Sequence, residues 1–353
     1  MIRLDDAQTA AVDAAVEAAL SRLNRRAAAH DPRILALTES AARAASGGKR
    51  FRPALVVAAF TAFGGDPASC PALWDVAAAV ELLHTAFVIH DDLIDGDVER
   101  RGAPNVAGEF RARARDSGVE APGAALLGDT AAVLAGDLLL FEAARLIATT
   151  PVDAEVRTAL LGLVDDALLV SAAGELADVE NSLRSDMPDA RALLATAHDK
   201  TAPYSFRAPL EAGALLAGAT PAQRELLAST AAHLGLAFQL VDDLIGTFGS
   251  QAQAGRAPGA DLRESKRTPL IALARESAAW PQVSSALDLA ATGPVAVRRA
   301  QRELDASGAR ARMTALVDET LRRARRTAAS PGLPAPAVHL LATIAVQIEE
   351  RIP

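Results

Sequence analysis

The chain has 353 residues, 50% of them hydrophobic and only 3% aromatic, and a formal net charge of -8. That length supports a buried core built from Ala, Leu and Val, while the acidic balance excludes a general nucleic-acid binder, which needs a basic face to neutralise phosphates. The single cysteine, Cys70, excludes an internal disulfide and fits a reducing compartment; with no secretory signal and no uncharged apolar run of about 18 residues, a cytoplasmic protein without a transmembrane segment is expected.

Apolar residues recur at helical spacing in an Ala-rich chain that lacks sustained alternation, which predicts an all-α fold. Helices are expected over 5–28, 31–45, 52–63, 71–95, 124–149, 153–182, 187–217, 221–247, 267–291, 296–306, 310–328 and 335–350, with Gly or Pro at the breaks. No break is long enough for an interdomain linker, so residues 1–353 are expected to form a single domain with the N-terminal helix and the C-terminal helices peripheral. Three charged connections, 46–50, 96–123 and 248–266, adjoin the chemically interesting segments, as functional loops on a rigid scaffold do.

Taken along the chain, the first such segment is Ser46-Gly47-Gly48-Lys49-Arg50-Phe51-Arg52-Pro53, three cations behind a diglycine at the start of a helix. Outward-pointing N-H groups there make a natural anion seat. His84 follows in Glu81-Leu-Leu-His84, and then His90-Asp91-Asp92-Leu-Ile-Asp95, where Asp91 and Asp95 stand one turn apart on one helical face. Like charges inside an apolar helix call for a compensating cation, and hard divalent ions accept carboxylate oxygens while keeping places for water and phosphate. Glu99-Arg100-Arg101-Gly102 leaves that helix with two guanidinium forks suited to phosphate oxygens.

Gly174-Glu175-Leu-Ala-Asp178 and His198-Asp199-Lys200-Thr201-Ala-Pro-Tyr204 place polar groups inside later helices. The acidic pair then recurs 151 residues on, as Phe238-Gln239-Leu-Val-Asp242-Asp243-Leu-Ile-Gly246, without a third carboxylate. The loop after it carries Arg256, Asp261, Arg263 and Lys266. Only three of the 36 basic residues are lysines, Lys49, Lys200 and Lys266, and each stands within one of these segments.

In this order and rough spacing the segments resemble the trans-isoprenyl diphosphate synthases, or polyprenyl synthetases, over almost the whole chain. The resemblance implies an all-α antiparallel helix bundle around a deep central cavity, usually a homodimer, with the two acidic helices facing each other across the cavity mouth. It implies an enzyme that condenses isopentenyl diphosphate with an allylic diphosphate by ionisation, condensation and elimination. Three Mg2+ ions, with Mn2+ able to substitute, are implied: Asp91 and Asp95 hold two and Asp242 the third, with Asp92, Asp178 and Asp243 supporting. Arg100, Lys200 and Arg256 contact the allylic diphosphate, and Gln239 supports its metal cluster. Lys49, Arg52, His84 and Arg101 hold isopentenyl diphosphate; Lys266 caps either one. Asp91, Asp95, Lys200, Thr201 and Asp242 are the catalytic set, Thr201 and Tyr204 steadying the passing positive charge.

Three departures stand out: Gly246 in place of an aspartate, Ser250 where some relatives carry a further acid, and Arg256 in place of a lysine. With Asp243 as reserve ligand, activity is expected to survive them. Product length in such enzymes is set by side chains upstream of the first acidic motif, here small Ala86 and large Phe87. Geranylgeranyl diphosphate (C20) is favoured over farnesyl (C15) and longer products. A class I terpene cyclase ranks below, since Gly246 and Ser250 do not fit its second motif and it has no need of the Lys49/Arg52 seat. So does an inactive partner subunit, because the acidic motif and that seat are intact.

Overall fold

The computed structural model describes residues 2–353 except Ser185, Met187, Gly255 and Arg256. The fold is all-α, with one two-stranded ribbon among the described residues. In chain order come α1 (Asp6–Ala28), α2 (Pro32–Ala45), α3 (Phe51–Ala62), α4 (Pro71–Ile94), β1 (Glu99–Arg100), β2 (Ala103–Pro104), α5 (Val106–Asp116) and α6 (Ala121–Thr149). Then follow α7 (Ala154–Leu183), α8 (Ala190–Ala202), α9 (Ala208–Leu216), α10 (Pro221–Phe248), α11 (Gln251–Ala254), α12 (Ala260–Arg263), α13 (Pro269–Arg275), α14 (Trp280–Leu287), α15 (Pro294–Ala306), α16 (Ala309–Ala328) and α17 (Ala335–Glu349).

The chain divides into two compact units, residues 2–164 with 212–218, and residues 165–211 with 219–353. In the first, α4 is the central helix: α6 lies along it, α1 and α3 pack against it, and α5 covers α6. Most of α4 is buried, from Ala72 through Ile89, so its run of Ala, Leu and Val reads as core rather than as one apolar stripe. In the second, α10 is central and takes α8, α16, α17 and α12 on its sides. Its start is fixed by a capping box, Thr220 with Gln223, and by Pro221 in the first turn.

Helix α5 falls inside the connection expected over 96–123. Its Arg-rich sequence hides the apolar face, yet Val106, Ala107, Phe110 and Ala114 are buried at helical spacing, and Asn105 caps it by accepting from the Gly108 N-H at 2.9 Å. The helix expected over 187–217 is three pieces, because Pro203 opens a wide π-helical turn, Pro203–Arg207, between α8 and α9. The one expected over 267–291 ends at Arg275 and restarts at Trp280. Helices α4 and α6 are long and apolar enough, by length and composition, to cross a membrane, which a charge-free window does not register; 72% of the qualifying window of α4 is buried inside the fold.

Candidate active site

The first unit carries the Asp91 set. Asp91 and Asp92 stand in the last turn of α4 and Asp95 is its C-cap, with no basic residue in that turn. Three carboxylates at the negative end of a helix dipole are destabilising unless cations attend them. Asp92 is buried and turned toward the loop: it accepts from Arg100 Nε at 2.8 Å and from Asn105 Nδ2 at 3.2 Å. Asn105 also donates to the Asp97 carbonyl at 2.8 Å. Asp92 therefore organises the loop, and Arg100, which also lies 3.8 Å from the Asp91 carboxylate, is seated on the acidic motif itself. Asp91 remains partly exposed and Asp95 exposed.

Beyond Arg100 the ribbon turns through Arg101 and Gly102, both with positive φ, +56° and +77°. Such a two-residue turn matches the twist of the strands, and it holds Arg101 in a conformation that non-glycine residues rarely adopt. The Arg101 guanidinium lies against Gly48, itself at φ +91°, with a Glu81 oxygen beside them. His84 feels Arg52, Arg100 and Arg101; burial foremost, then those three cations, hold its imidazole well below the ordinary range, so it stays neutral near pH 7. Arg52, His84, Arg100 and Arg101 thus converge in one place. Lys49 is exposed at the diglycine turn. Arg50, between them, is turned inward instead: at φ +46° it buries its guanidinium on Glu81 (2.9 Å), Asp13 (2.8 Å) and the Ala45 carbonyl (3.0 Å). Of the three cations in the segment, Arg50 is structural.

The second unit carries the Asp242 set. A Cβ on Gly174 would collide with the backbone at Lys200, so this glycine lets α7 and α8 touch. The contact brings Lys200 Nζ within 3.0 Å of both Glu175 and Asp178. Gly235 does the same for α8 and α10, where a Cβ would strike Ala202. There Thr201 Oγ1 donates to Gln239 Oε1 at 2.6 Å, and Gln239 Nε2 donates to Asp243 Oδ1 at 2.9 Å. Burial first, then the charges of Asp261, Asp242 and Asp178, push the Asp243 carboxyl well above the carboxylate range, partly offset by the Gln239 bond.

Sequence reasoning missed two residues. Asp261, buried on α12, places its carboxylate where a Cβ on Gly246 would have to go. Gly246 is therefore the residue that admits Asp261, and the acidic motif has a carboxylate beside it from another segment. The signal in the sequence was Asp261 in the loop after a motif one acid short. Arg351, just past α17, pairs with Asp242 and lies 4.4 Å over the Phe238 ring; no signal in the sequence links it to α10. Lys266 lies 3.6 Å from Glu264, its backbone N-H bonded to the Asp261 carbonyl at 2.9 Å. Arg256 lies outside the described residues.

Among the described residues no three His, Cys, Asp or Glu side chains converge into a preformed metal cage. The donors nevertheless fit Mg2+, which takes one or two protein carboxylates and completes its shell with water and substrate phosphate. Three carboxylates, Asp261, Asp242 and Asp178, crowd the buried Asp243, a negative neighbourhood that suits a divalent cation.

A family profile described as polyprenyl synthetase matches residues 35–302. Among curated proteins, a (2E,6E)-farnesyl diphosphate synthase of Mycobacterium bovis is 38% identical over 222 residues, 63% of this chain and 55% of that one. A geranylgeranyl diphosphate synthase of Sulfolobus acidocaldarius is 32% identical over 228 residues, 64% of this chain and 62% of that one. The match thus spans a little over half the length of these relatives. A crystal structure of geranylgeranyl pyrophosphate synthase from Corynebacterium glutamicum, complexed with isoprenyl diphosphate and magnesium, superposes with a TM-score of 0.89 at 27% identity, covering 99% of this chain and 100% of that one.

Proposed function

Because the chain belongs to the polyprenyl synthetase family, we propose that it is a Mg2+-dependent trans-prenyltransferase that joins isopentenyl diphosphate to an allylic diphosphate. The observation that carries this reading is the convergence of Arg52, His84 and Arg101 beside the acidic end of α4. An enzyme that only ionises one diphosphate has no use for a second cationic seat, and this is what separates the reading from a terpene cyclase.

Bound Mg2+ supplies Lewis-acid stabilisation of the leaving diphosphate. Asp91 and Asp95 would hold two such ions and Asp242 the third. Arg100 and Lys200, already seated among the carboxylates, have only to turn a donor toward phosphate oxygens. Lys49, Arg52 and Arg101 hold the diphosphate of isopentenyl diphosphate, and neutral His84 adds a hydrogen bond without a further charge. Fixed positive charge thus meets the anion that forms as the allylic carbon–oxygen bond breaks. The isopentenyl double bond, held close, attacks the allylic carbon, and a proton leaves to restore a double bond. Thr201, whose hydroxyl donates a hydrogen bond to Gln239, keeps oxygen lone pairs for the passing cation. Asp243, bonded to Gln239, acts as a support rather than as a metal ligand.

The favoured product is geranylgeranyl diphosphate, with farnesyl diphosphate next. The Corynebacterium likeness over the full length of both chains supports the first. The working unit of this proposal is one cytosolic synthase domain, assembled as a homodimer. Support for the dimer comes from α6, where Leu127, Leu134 and Phe141 recur every seven residues and are 41%, 47% and 64% exposed. Replacing Asp242 by Ala is expected to lower turnover at least 100-fold, roughly the loss of one transition-state charge contact, and to raise the Mg2+ requirement. Full turnover by that variant in a Mg2+-dependent assay contradicts the assignment.

A further inference from the structure

In the proposed function Asp242 is the carboxylate that would hold the third metal, and a side chain of the same chain already sits on it. After α17 the backbone continues as a helical turn, Arg351 N-H to the Ile348 carbonyl at 3.1 Å and Ile352 N-H to that of Glu349 at 3.2 Å. Two tethers fix this turn: Arg325 to Glu349 at 2.5 Å, and Arg310 to the Pro353 carbonyl at 2.5 Å. The Arg351 guanidinium is thereby aimed at one face of α10, where Phe238 and Asp242 stand one turn apart. It pairs with the Asp242 carboxylate and stacks over the Phe238 ring. Phe238 is in turn braced by Phe206, 5.2 Å between ring centroids, from the π-helical turn that follows Thr201. The second nitrogen, Nη1, is buried without a hydrogen-bond partner, so the fold accepts an unmet donor to keep the guanidinium there.

We propose that Arg351 is a resident counter-cation for Asp242, a positioning residue that holds the carboxylate in place before metal arrives and that metal must displace. The inference rests on the metal role given to Asp242 above. An arginine does not deprotonate, so near neutral pH the pair yields to a competing cation on the same oxygens and not to loss of the arginine's proton. Any ion bound by Asp242 therefore competes with the pair, and its apparent affinity falls by the fraction of time that Arg351 is off. The device keeps a half-buried carboxylate satisfied without metal, as Arg100 does at the first acidic motif.

The test is Mn2+ binding to the full chain, followed by electron paramagnetic resonance, for wild type, Arg351→Ala, Arg351→Lys, Asp242→Asn and the double variant. Arg351→Ala is expected to tighten one Mn2+ equivalent roughly three- to tenfold, the scale of one partly buried charge pair, with Arg351→Lys in between. Asp242→Asn removes that equivalent, and adding Arg351→Ala to it changes nothing further. In EDTA each single variant lowers the melting temperature and the double lowers it no further than the worse single, the signature of a shared interaction. Unchanged or weaker Mn2+ affinity in both Arg351 variants, while Asp242→Asn still loses an equivalent, overturns the counter-cation role alone. If Asp242→Asn loses no equivalent, the metal role of Asp242 fails first.

Discussion

Gly246 is the position at which sequence and structure speak most differently. In the sequence it is a missing aspartate. In the fold it is the gap that receives the Asp261 carboxylate, which a Cβ would overlap. Restoring the full motif with Gly246→Asp is therefore expected to harm the protein, by about 1–3 kcal/mol from overpacking and by adding a like charge next to Asp243 and Asp261. Denaturant unfolding should show a lower midpoint with no gain in turnover; a more stable or faster enzyme contradicts the role given to Gly246. The same scale shows what local spacing can and cannot reveal. Asp91, Asp95 and Gln239 stood out in the sequence because an acidic neighbour lies within one turn of each, whereas Lys200 stood out by its scarcity and meets Glu175 and Asp178 from another helix. The partners Asp261 and Arg351 were not, since 18 and 109 residues separate Asp243 from Asp261 and Asp242 from Arg351. Arg50 was legible only as one more cation, because nothing local announces a side chain turned into the core.

At the scale of elements, helix α1 is stapled to α6 through a wholly buried carboxylate. Glu142 accepts from Arg145 at 2.6 Å and from Arg22 Nε at 3.1 Å. Burial pulls its pKa up, but the bonds from Arg145 and Arg22 outweigh it, and the net direction is below the ordinary value of 4.5. A carboxylate with a lowered folded pKa stabilises fully above its unfolded value and loses that contribution as pH falls through the folded one. Glu142→Gln should cost about 3 kcal/mol near pH 7, with the difference from wild type shrinking below about pH 4.5; urea titrations at the two pH values measure it. A difference that grows with acidity counts against the staple. Helix boundaries followed the sequence wherever an apolar stripe or a capping residue marked them. They failed at α5, whose arginines mask a short buried face, and at the Pro203 turn, where a proline is absorbed by widening the helix rather than ending it.

For the whole molecule, the family and its all-α architecture were legible because many short motifs recur in a fixed order, a pattern that no single segment carries. The division into two compact units was not, since it follows from contacts and not from any linker. Surface apolar residues carry the assembly reading: on α7 as on α6 they recur every seven residues, Leu169, Leu176 and Leu183 being 71%, 61% and 80% exposed. Exposed stripes of that kind mark association surfaces. The proposed homodimer predicts that the wild type sediments as a dimer and a Leu134→Glu/Phe141→Glu variant as a monomer; an unchanged dimer places the interface elsewhere.

The central claim is that the carboxylates and the cations serve two diphosphates in one condensation. It is tested most directly by incubating purified protein with Mg2+, labelled isopentenyl diphosphate and dimethylallyl, geranyl or farnesyl diphosphate, then sizing the labelled product. The account predicts Mg2+-dependent incorporation ending chiefly at C20, abolished by Asp91→Asn and Arg101→Ala. Release of diphosphate from the allylic substrate without incorporation of label, or incorporation that survives both substitutions, contradicts it.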